Sequence, residues 1–375
     1  MRKLVAESQG DTHPGSKGMA MHIAVACGGT GGHIFPGLAT ARALEKHGNE
    51  VSLWLGGRDV ENLSVLGWQG KVITVKAEGF PPAVSLRWFT IVIKLLRSIA
   101  TCRGLMKQDR PDVVLAMGSY ASVGPVLAAH SLGIPVVLHE ANAVPGRAVS
   151  FLSRWASVVA VAFLPAARHF QHRKVVVTGL PVREVVTFRL RDGLEEGRFT
   201  VLVMGGSQGA HKLNEIASAA ISRVHRSGAA IQAVHLTGPR DESWVRGLYM
   251  EKGVTAVVFG FLKEMGEAYN VADLAIARSG AASCVELSAY GVPALFVPLP
   301  LARRDHQTAN ARVFVEAGAA EMVAEKDLSA ERLAEYITAC MTNHVKLDKM
   351  KNATKNAFVA DAAEKLADLV VGQAR

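Results

Sequence analysis

An apolar run closed by a glycine-dense turn occurs twice in this chain, and that recurrence constrains the fold more than any other feature. Ile23–Cys27 leads into Gly28-Gly29-Thr30-Gly31-Gly32-His33, and Thr200–Met204 leads into Gly205-Gly206-Ser207-Gln208-Gly209-Ala210. Between the copies, β-branched runs alternate with helical patterns. Strands are predicted at Val51–Leu55, Val72–Lys76, Asp112–Met117, Ile134–His139, Val158–Ala162 and Val175–Val177. Helices are predicted over Pro36–Lys46, Val84–Lys107 and Gly146–Trp155. After the second copy come strands at Ala233–Leu236, Ala256–Phe259, Leu274–Ala277 and Ala294–Val297, and one long helix over Asp348–Leu369. Strands alternating with helices imply parallel βαβ units. A repeated opening unit implies two such arrays, so the expectation is an α/β chain of two Rossmann-like, doubly wound domains facing an interdomain cleft. The expected parts are a disordered polar lead over 1–20, a first domain over 21–185, a second over 198–350, and a C-terminal helix over 351–375 that packs back on the first.

A glycine turn after a first strand invites a dinucleotide reading, which this sequence fails. The fingerprint G-x-G-x-x-G becomes Gly29-Thr30-Gly31-Gly32-His33-Ile34, and no acid follows the second strand before Asp59. Neither glycine turn carries the G-x-x-x-x-G-K-[ST] of a P-loop. The four cysteines are scattered without a C-x-x-C pair, which indicates neither a disulfide framework nor a zinc site. The formal net charge of +9 suits anionic partners such as nucleotide diphosphates or an anionic membrane face. The basic residues are dispersed and lack an aromatic stacking platform, which argues against nucleic acid.

Residues 1–20 lack the apolar core of a signal peptide, and Met19 and Met21 are alternative starts. Glycines and prolines break the longest uncharged run, Val113–His139, so it reads as strand, loop and helix rather than a membrane span. Leu86–Arg97 combines bulky apolar residues with cations, and Arg103 and Lys107 extend it. That pattern suits either a helix lying on anionic lipid or an ordinary core helix.

The glycine turns bring backbone N–H groups and a helix N-terminus to one place, a setting for an anionic or oxygen-rich ligand. His33 is the titratable side chain of the first turn, and imidazole is the side-chain type that exchanges a proton near neutral pH. It is the candidate base, with Glu140 its rival or a residue that orients a neighbour. Gly118, Ser119 and Tyr120 form a second polar βα turn that would hold a pyrophosphate through N–H groups and hydroxyls, or would simply cap a helix. Ser207 is placed to donate to a diphosphate oxygen. Ser279 and Gly280 suit an N-cap, which would turn the amides of Ala281, Ala282 and Ser283 toward a diphosphate or sugar. Gln307 and Asn310, three apart, share one helix face. Asn142 reads equally as a ligand contact or as an Asx turn before Pro145.

Taken together, Gly28–His33 with Phe35-Pro36-Gly37, Gly118–Ser122, His139-Glu140-Ala141-Asn142, Gly179–Arg183, Gly205–Ala210, Arg278–Ala281, Glu286, Gly291–Ala294 and Asp305–Ala311 resemble the MurG family of peripheral membrane glycosyltransferases. The chain departs from that pattern at Ala141, Leu180 and His211, where the family usually has Gln, Asn and often Arg. The resemblance implies the GT-B arrangement and an inverting transfer of N-acetylglucosamine from UDP-GlcNAc to undecaprenyl-pyrophosphoryl-MurNAc-pentapeptide (lipid I), giving lipid II for the cell wall, with no metal or cofactor. It implies His33 as base. Thr30, Gly31, Gly32, Asn142, Gln307 and Asn310 would lie at the transferred sugar and Arg183 near the donor. Leu262 would meet the uracil through its backbone. In the run Ala281, Ala282, Ser283, Cys284, Val285 and Glu286, the acid would receive the ribose hydroxyls. It further implies the cytoplasmic face of the inner membrane and contacts with other cell-wall synthesis proteins. The alternatives are another UDP-sugar transferase or epimerase of this fold, and a non-catalytic UDP-sugar-binding protein.

Overall fold

A computed structural model describes residues 20–57, 61, 65, 67–76, 87–170, 173–183, 185–188, 190, 192–206, 209–300 and 302–374, with backbone alone at 87–89 and 303. Ser207, Leu86 and all but the last residue of the 1–20 lead lie outside these residues.

The first half builds a parallel sheet from β1 (His22–Ala26), β2 (Glu50–Leu55), β3 (Lys71–Thr74), β4 (Val113–Ala116), β5 (Val136–Glu140), β6 (Val158–Val161) and β7 (Val175–Val177). Its strand order is β3-β2-β1-β4-β5-β6-β7. The second half repeats the pattern with β8 (Phe199–Met204), β9 (Ile231–Leu236), β10 (Ala256–Phe259), β11 (Leu274–Ala277), β12 (Ala294–Phe296) and β13 (Ala320–Met322). Here the order is β10-β9-β8-β11-β12-β13. In both sheets the strand that leads into the glycine turn, β1 or β8, pairs with β4 or β11 at the point where the order reverses, which opens a crevice at the carboxyl ends. Strands such as Val113–Ala116 and Leu274–Ala277 are apolar on both faces because helices cover both. Each sheet therefore separates two buried clusters.

Helix α1 (Gly31–Lys46) starts earlier than Pro36. Gly31 and Gly32 form its first turn, so half of the first glycine turn is helix and His33 projects from it. Pro36 sits inside the helix, and Gly37 lets α1 close onto β1, where a Cβ would collide with Cys27. Next come α2 (Arg87–Gln108), α3 (Val123–Ser131) and α4 (Arg147–Leu152). The second half carries α5 (His211–Arg226), α6 (Glu242–Glu251), α7 (Met265–Tyr269), α8 (Ala281–Ala289), α9 (His306–Glu316) and α10 (Ala330–Thr342).

The expected long terminal helix is two helices, α11 (His344–Ala357) and α12 (Ala362–Val371). Phe358 between them is extended (φ −135°, ψ 156°). Val359 fills the space above Gly179, where a Cβ would clash. At this crossing the chain leaves the second half, and Leu366, Ala367 and Val370 of α12 join Ile23, Val25 and Leu44 in the first half's core.

Candidate active site

One cleft of about 610 Å³ runs between the carboxyl ends of the two sheets. The turns after β1, β4 and β5 line one wall, and the turns after β8, β9, β10 and β11 line the other. Thr30, Gly31, Gly32, His33, Ser119, Tyr120, Glu140, Asn142, Arg183, Leu262, Ala281, Ala282, Ser283, Glu286 and Gln307 all face it.

On the first wall the glycine turn is already occupied. The buried Glu61 carboxylate accepts the Gly29 N–H and the Gly57 N–H, both at 2.7 Å. The Ser119 hydroxyl donates to the Gly28 carbonyl at 2.6 Å. These contacts anchor Gly28 and Gly29, so the anion cradle expected at this turn is filled by the protein's own acid. Thr30 then caps α1: its carbonyl accepts from the N–H groups of His33 and Ile34. Its hydroxyl lies 3.2 Å from His33 Nδ1, which orients the ring toward the cleft. Gly118 (φ +88°) lies beside that ring, and a Cβ there would crowd Val149 Cγ2 at 3.0 Å. Behind it, His139 is fully buried, and its Nε2 meets the Gly179 carbonyl at 3.1 Å. Burial lowers its pKa to about 4, so its imidazole is neutral and Nε2 is the donor.

Glu140 is not placed as the base. Its Oε1 accepts from the backbone N–H and side-chain Nδ2 of Asn142, at 2.9 and 3.0 Å, and its Oε2 accepts the Gly146 N–H at 2.9 Å. Burial raises its pKa, and these three donors oppose the rise. Its carboxylate folds the 140–146 loop. Ser119 follows the capping alternative: its hydroxyl accepts the Ala121 N–H at 3.1 Å and gives its own proton to Gly28, and its backbone is strained at φ 67°. Gly118 does not reach the cleft, leaving Tyr120 and the outer edge of Ser119.

On the second wall, α8 presents its N-terminus. Gly280 is the N-cap and makes no side-chain cap bond. Ser279, expected to share that role, is fully buried, and its hydroxyl has no partner among the described residues. The helical ladder opens with Cys284 N–H on the Gly280 carbonyl, which leaves the first-turn N–H groups of Ala281, Ala282 and Ser283 open to the cleft. Cys284 and Val285 point into the core and do not line the cleft. One turn on, Glu286 Oε2 accepts from the Tyr269 hydroxyl at 2.7 Å. Burial raises the Glu286 pKa, while Tyr269 and the Arg183 charge oppose the rise. Arg183 stacks on the Phe35 ring at 3.4 Å and donates to the Lys263 carbonyl at 2.6 Å, so it bridges both halves.

Gln307 and Asn310 diverge. Gln307 lines the cleft, with its Oε1 held by the Leu299 N–H at 2.9 Å. Asn310 does not line it. It is fully buried and bonded to Ala143 N, Asn142 Oδ1 and the Ser279 carbonyl. Arg304 lines the cleft and donates to the Pro145 carbonyl at 3.0 Å and to Ser150 Oγ at 3.2 Å. Glu61, His139, Tyr269 and Arg304 were not singled out from the sequence, since each acts through a partner distant along the chain. Among the described residues no cluster of three metal-ligating side chains forms.

Residues 23–161 match the glycosyltransferase family 28 N-terminal domain, and residues 200–366 match the family's C-terminal domain. A Methylococcus capsulatus protein named UDP-N-acetylglucosamine–N-acetylmuramyl-(pentapeptide) pyrophosphoryl-undecaprenol N-acetylglucosamine transferase is 39% identical over 371 residues, covering 95% of this chain and 99% of the relative. A protein of the same name from Gloeothece citriformis is 36% identical over 355 residues, with 93% and 95% covered. The crystal structure of Acinetobacter baumannii MurG superimposes with a TM-score of 0.75 at 31% identity, over 94% of this chain and 99% of that one. UDP-GlcNAc 2-epimerase from Neisseria meningitidis, at 14% identity and a TM-score of 0.68, shares the fold alone. The stronger matches span both sheets and the cleft between them, and the chain belongs to glycosyltransferase family 28, in its MurG branch.

Proposed function

We propose that the chain transfers N-acetylglucosamine from UDP-GlcNAc to undecaprenyl-pyrophosphoryl-MurNAc-pentapeptide, making lipid II. The observation that carries this reading is the pairing of a proton acceptor with an anion site across one cleft. His33 projects from the first wall. Open amides of α8, with Glu286 one turn on, face it from the second. In this reading residues 21–185 act as the acceptor domain and 198–350 as the donor domain.

An acceptor hydroxyl attacks the anomeric carbon as the bond from that carbon to the diphosphate oxygen breaks. Its proton passes to His33, and the electron pair leaves with UDP. Donors already oriented toward the diphosphate stabilise the developing charge without rearranging, which is why first-turn N–H groups serve well there. Glu286 receives the ribose diol, because an ionised carboxylate accepts two hydroxyl donors. Asn142 and Gln307 meet the sugar, and Glu140 keeps Asn142 in place.

A lipid-linked acceptor calls for a membrane surface. Among the described residues no helix is long and apolar enough to cross a membrane. The α2 helix instead exposes Val92, Ile93 and Leu96 beside Lys94 and Arg97. Its other face is buried through Ser98, Cys102 and Met106. We therefore assign α2 to an anionic lipid surface, as a peripheral contact on the cytoplasmic face of the inner membrane.

Radiolabelled sugar transfer to lipid I or a short-chain analogue tests the reading. Labelled product is expected, and its absence with wild-type chain overturns it. His33→Ala is expected to lower turnover about 100-fold or more while leaving UDP-GlcNAc affinity nearly unchanged. Undiminished turnover would remove His33 from the base role.

A further inference from the structure

Glu61 is a fully buried acid with no part in the transfer chemistry, and both of its oxygens are in use. Oε1 accepts the Gly29 N–H and Oε2 accepts the Gly57 N–H, each at 2.7 Å. Gly29 lies just past β1 and Gly57 just past β2, so one carboxylate ties together the turns that follow two paired strands. The two turns touch. A Cβ on Gly28 would lie 2.4 Å from the Gly56 nitrogen, and one on Gly56 would lie 3.1 Å from Glu61 Oε1. Gly29 itself stands at φ +132°, a conformation that side chains rarely adopt. From the other side the Ser119 hydroxyl holds the Gly28 carbonyl at 2.6 Å. Gly28 and Gly29 are thus fixed from both sides. The next residue is Thr30, the N-cap of α1. Its carbonyl accepts the His33 N–H at 2.9 Å, and its hydroxyl lies 3.2 Å from His33 Nδ1. A short path of covalent and hydrogen bonds therefore runs from the buried carboxylate to the imidazole in the cleft.

We propose that Glu61 is a positioning residue that sets, through Gly29 and Thr30, where the His33 imidazole stands in the cleft. This rests on the reading of His33 as the base. The role needs two acceptor oxygens. Glutamine has the same shape and accepts one of the N–H groups, but its amide nitrogen would face the other, donor against donor in a buried place. Aspartate keeps both acceptors on a shorter arm. Both N–H groups that Glu61 accepts belong to the first half, and every strand pairing lies within one half. A change at Glu61 should therefore displace the base while leaving the donor's uridine contacts on the second wall standing.

The experiment is a kinetic and calorimetric comparison of Glu61→Gln, Glu61→Asp, His33→Ala and the double variant Glu61→Gln with His33→Ala against wild type. Transfer from UDP-GlcNAc and binding of UDP alone are both measured. Displacement of the base by a fraction of an ångström to an ångström predicts a fall in kcat of about 10- to 100-fold for Glu61→Gln, with UDP affinity within about threefold of wild type. Glu61→Asp should keep more activity than Glu61→Gln, because both charged acceptors remain. The cycle separates positioning from mere support of the fold. In the His33→Ala background, Glu61→Gln should cost less than about threefold, because no imidazole is left to misplace. If Glu61→Gln fails to fold, the same cycle with Glu61→Asp carries the test, and failure of both to fold makes Glu61 a residue of stability and overturns the proposal. Wild-type kcat in folded Glu61→Gln overturns it too. So do losses from Glu61→Gln and His33→Ala that simply multiply, or a fall in UDP affinity that matches the fall in kcat. Undiminished turnover in His33→Ala would instead overturn the base reading, and inactive wild-type chain the transfer reading, which keeps the failures separate.

Discussion

Glu286 shows how far a single residue's role follows from its neighbours. Burial favours its neutral form, but a diol site needs the carboxylate. The Tyr269 hydroxyl at 2.7 Å and the nearby Arg183 cation supply the compensation. Hydrogen bonds to charged groups contribute roughly 1.5–3 kcal/mol, so Tyr269→Phe is expected to weaken UDP binding by about tenfold or more. Glu286→Ala should weaken it further. Calorimetry that finds both variants equal to wild type would take the pair out of the ribose site. Glu286 was named through the family resemblance, since an acid one turn into a helix behind a capping glycine is also where a solvated acid would sit. Tyr269 was not, because it lies on α7, whose sequence says nothing of where its hydroxyl points. Asn310 parts from Gln307 for a geometric reason. Residues three apart on a helix differ by about 60° in direction, and on α9 that is enough to separate cleft from interface.

At the scale of elements, the two glycine turns look alike in sequence, and that likeness says nothing of what meets their amides. The first is filled by Glu61 from a segment beyond β2, so its amides anchor a loop. No local pattern marks that acid as the partner of Gly29. The α2 helix presents the opposite case, because its mixed apolar and basic pattern was visible and only its exposure remained to be found. Cys102 and Met106 of this helix join the core, while Leu96 is 60% exposed and Ile93 is 49% exposed. If these side chains enter lipid, each is worth about 1–2 kcal/mol of surface affinity. Replacing both with serine should lower binding to phosphatidylglycerol-containing vesicles by about tenfold or more. Transfer to a water-soluble, short-chain acceptor should stay unchanged. Cosedimentation that shows equal binding would remove α2 from the membrane contact.

At the scale of the molecule, alternation of strand and helix was enough to anticipate two parallel sheets, but not their ends. Strand β13 is short and carries Glu321 and Met322, and the break between α11 and α12 occurs without glycine or proline. Both features depend on packing against distant parts of the chain. The whole fold also carries a pH dependence. Burial lowers His139 to about 4 and His235 to about 3. The unfolded chain takes up these protons near pH 6.5, before the folded one does. Stability is therefore fully present above that value and is lost as pH falls toward 4, by about 1.4 kcal/mol per unit for each group. The raised carboxyls of Glu140 and Glu286 act in the opposite sense. The check is an imidazole NMR titration of the folded protein alongside denaturant unfolding at pH 7 and pH 5. An imidazolium signal from either histidine above pH 5.5 would contradict it. The crossing at Phe358–Asp361 has a further consequence, for the order of events during synthesis. Leu366, Ala367 and Val370 complete a core begun by Ile23 and Val25. At cellular elongation rates the ribosome needs roughly 20–70 s between those two sets of residues. Throughout that interval the first half waits with one flank uncovered, and its last layer arrives only after the second half has been made.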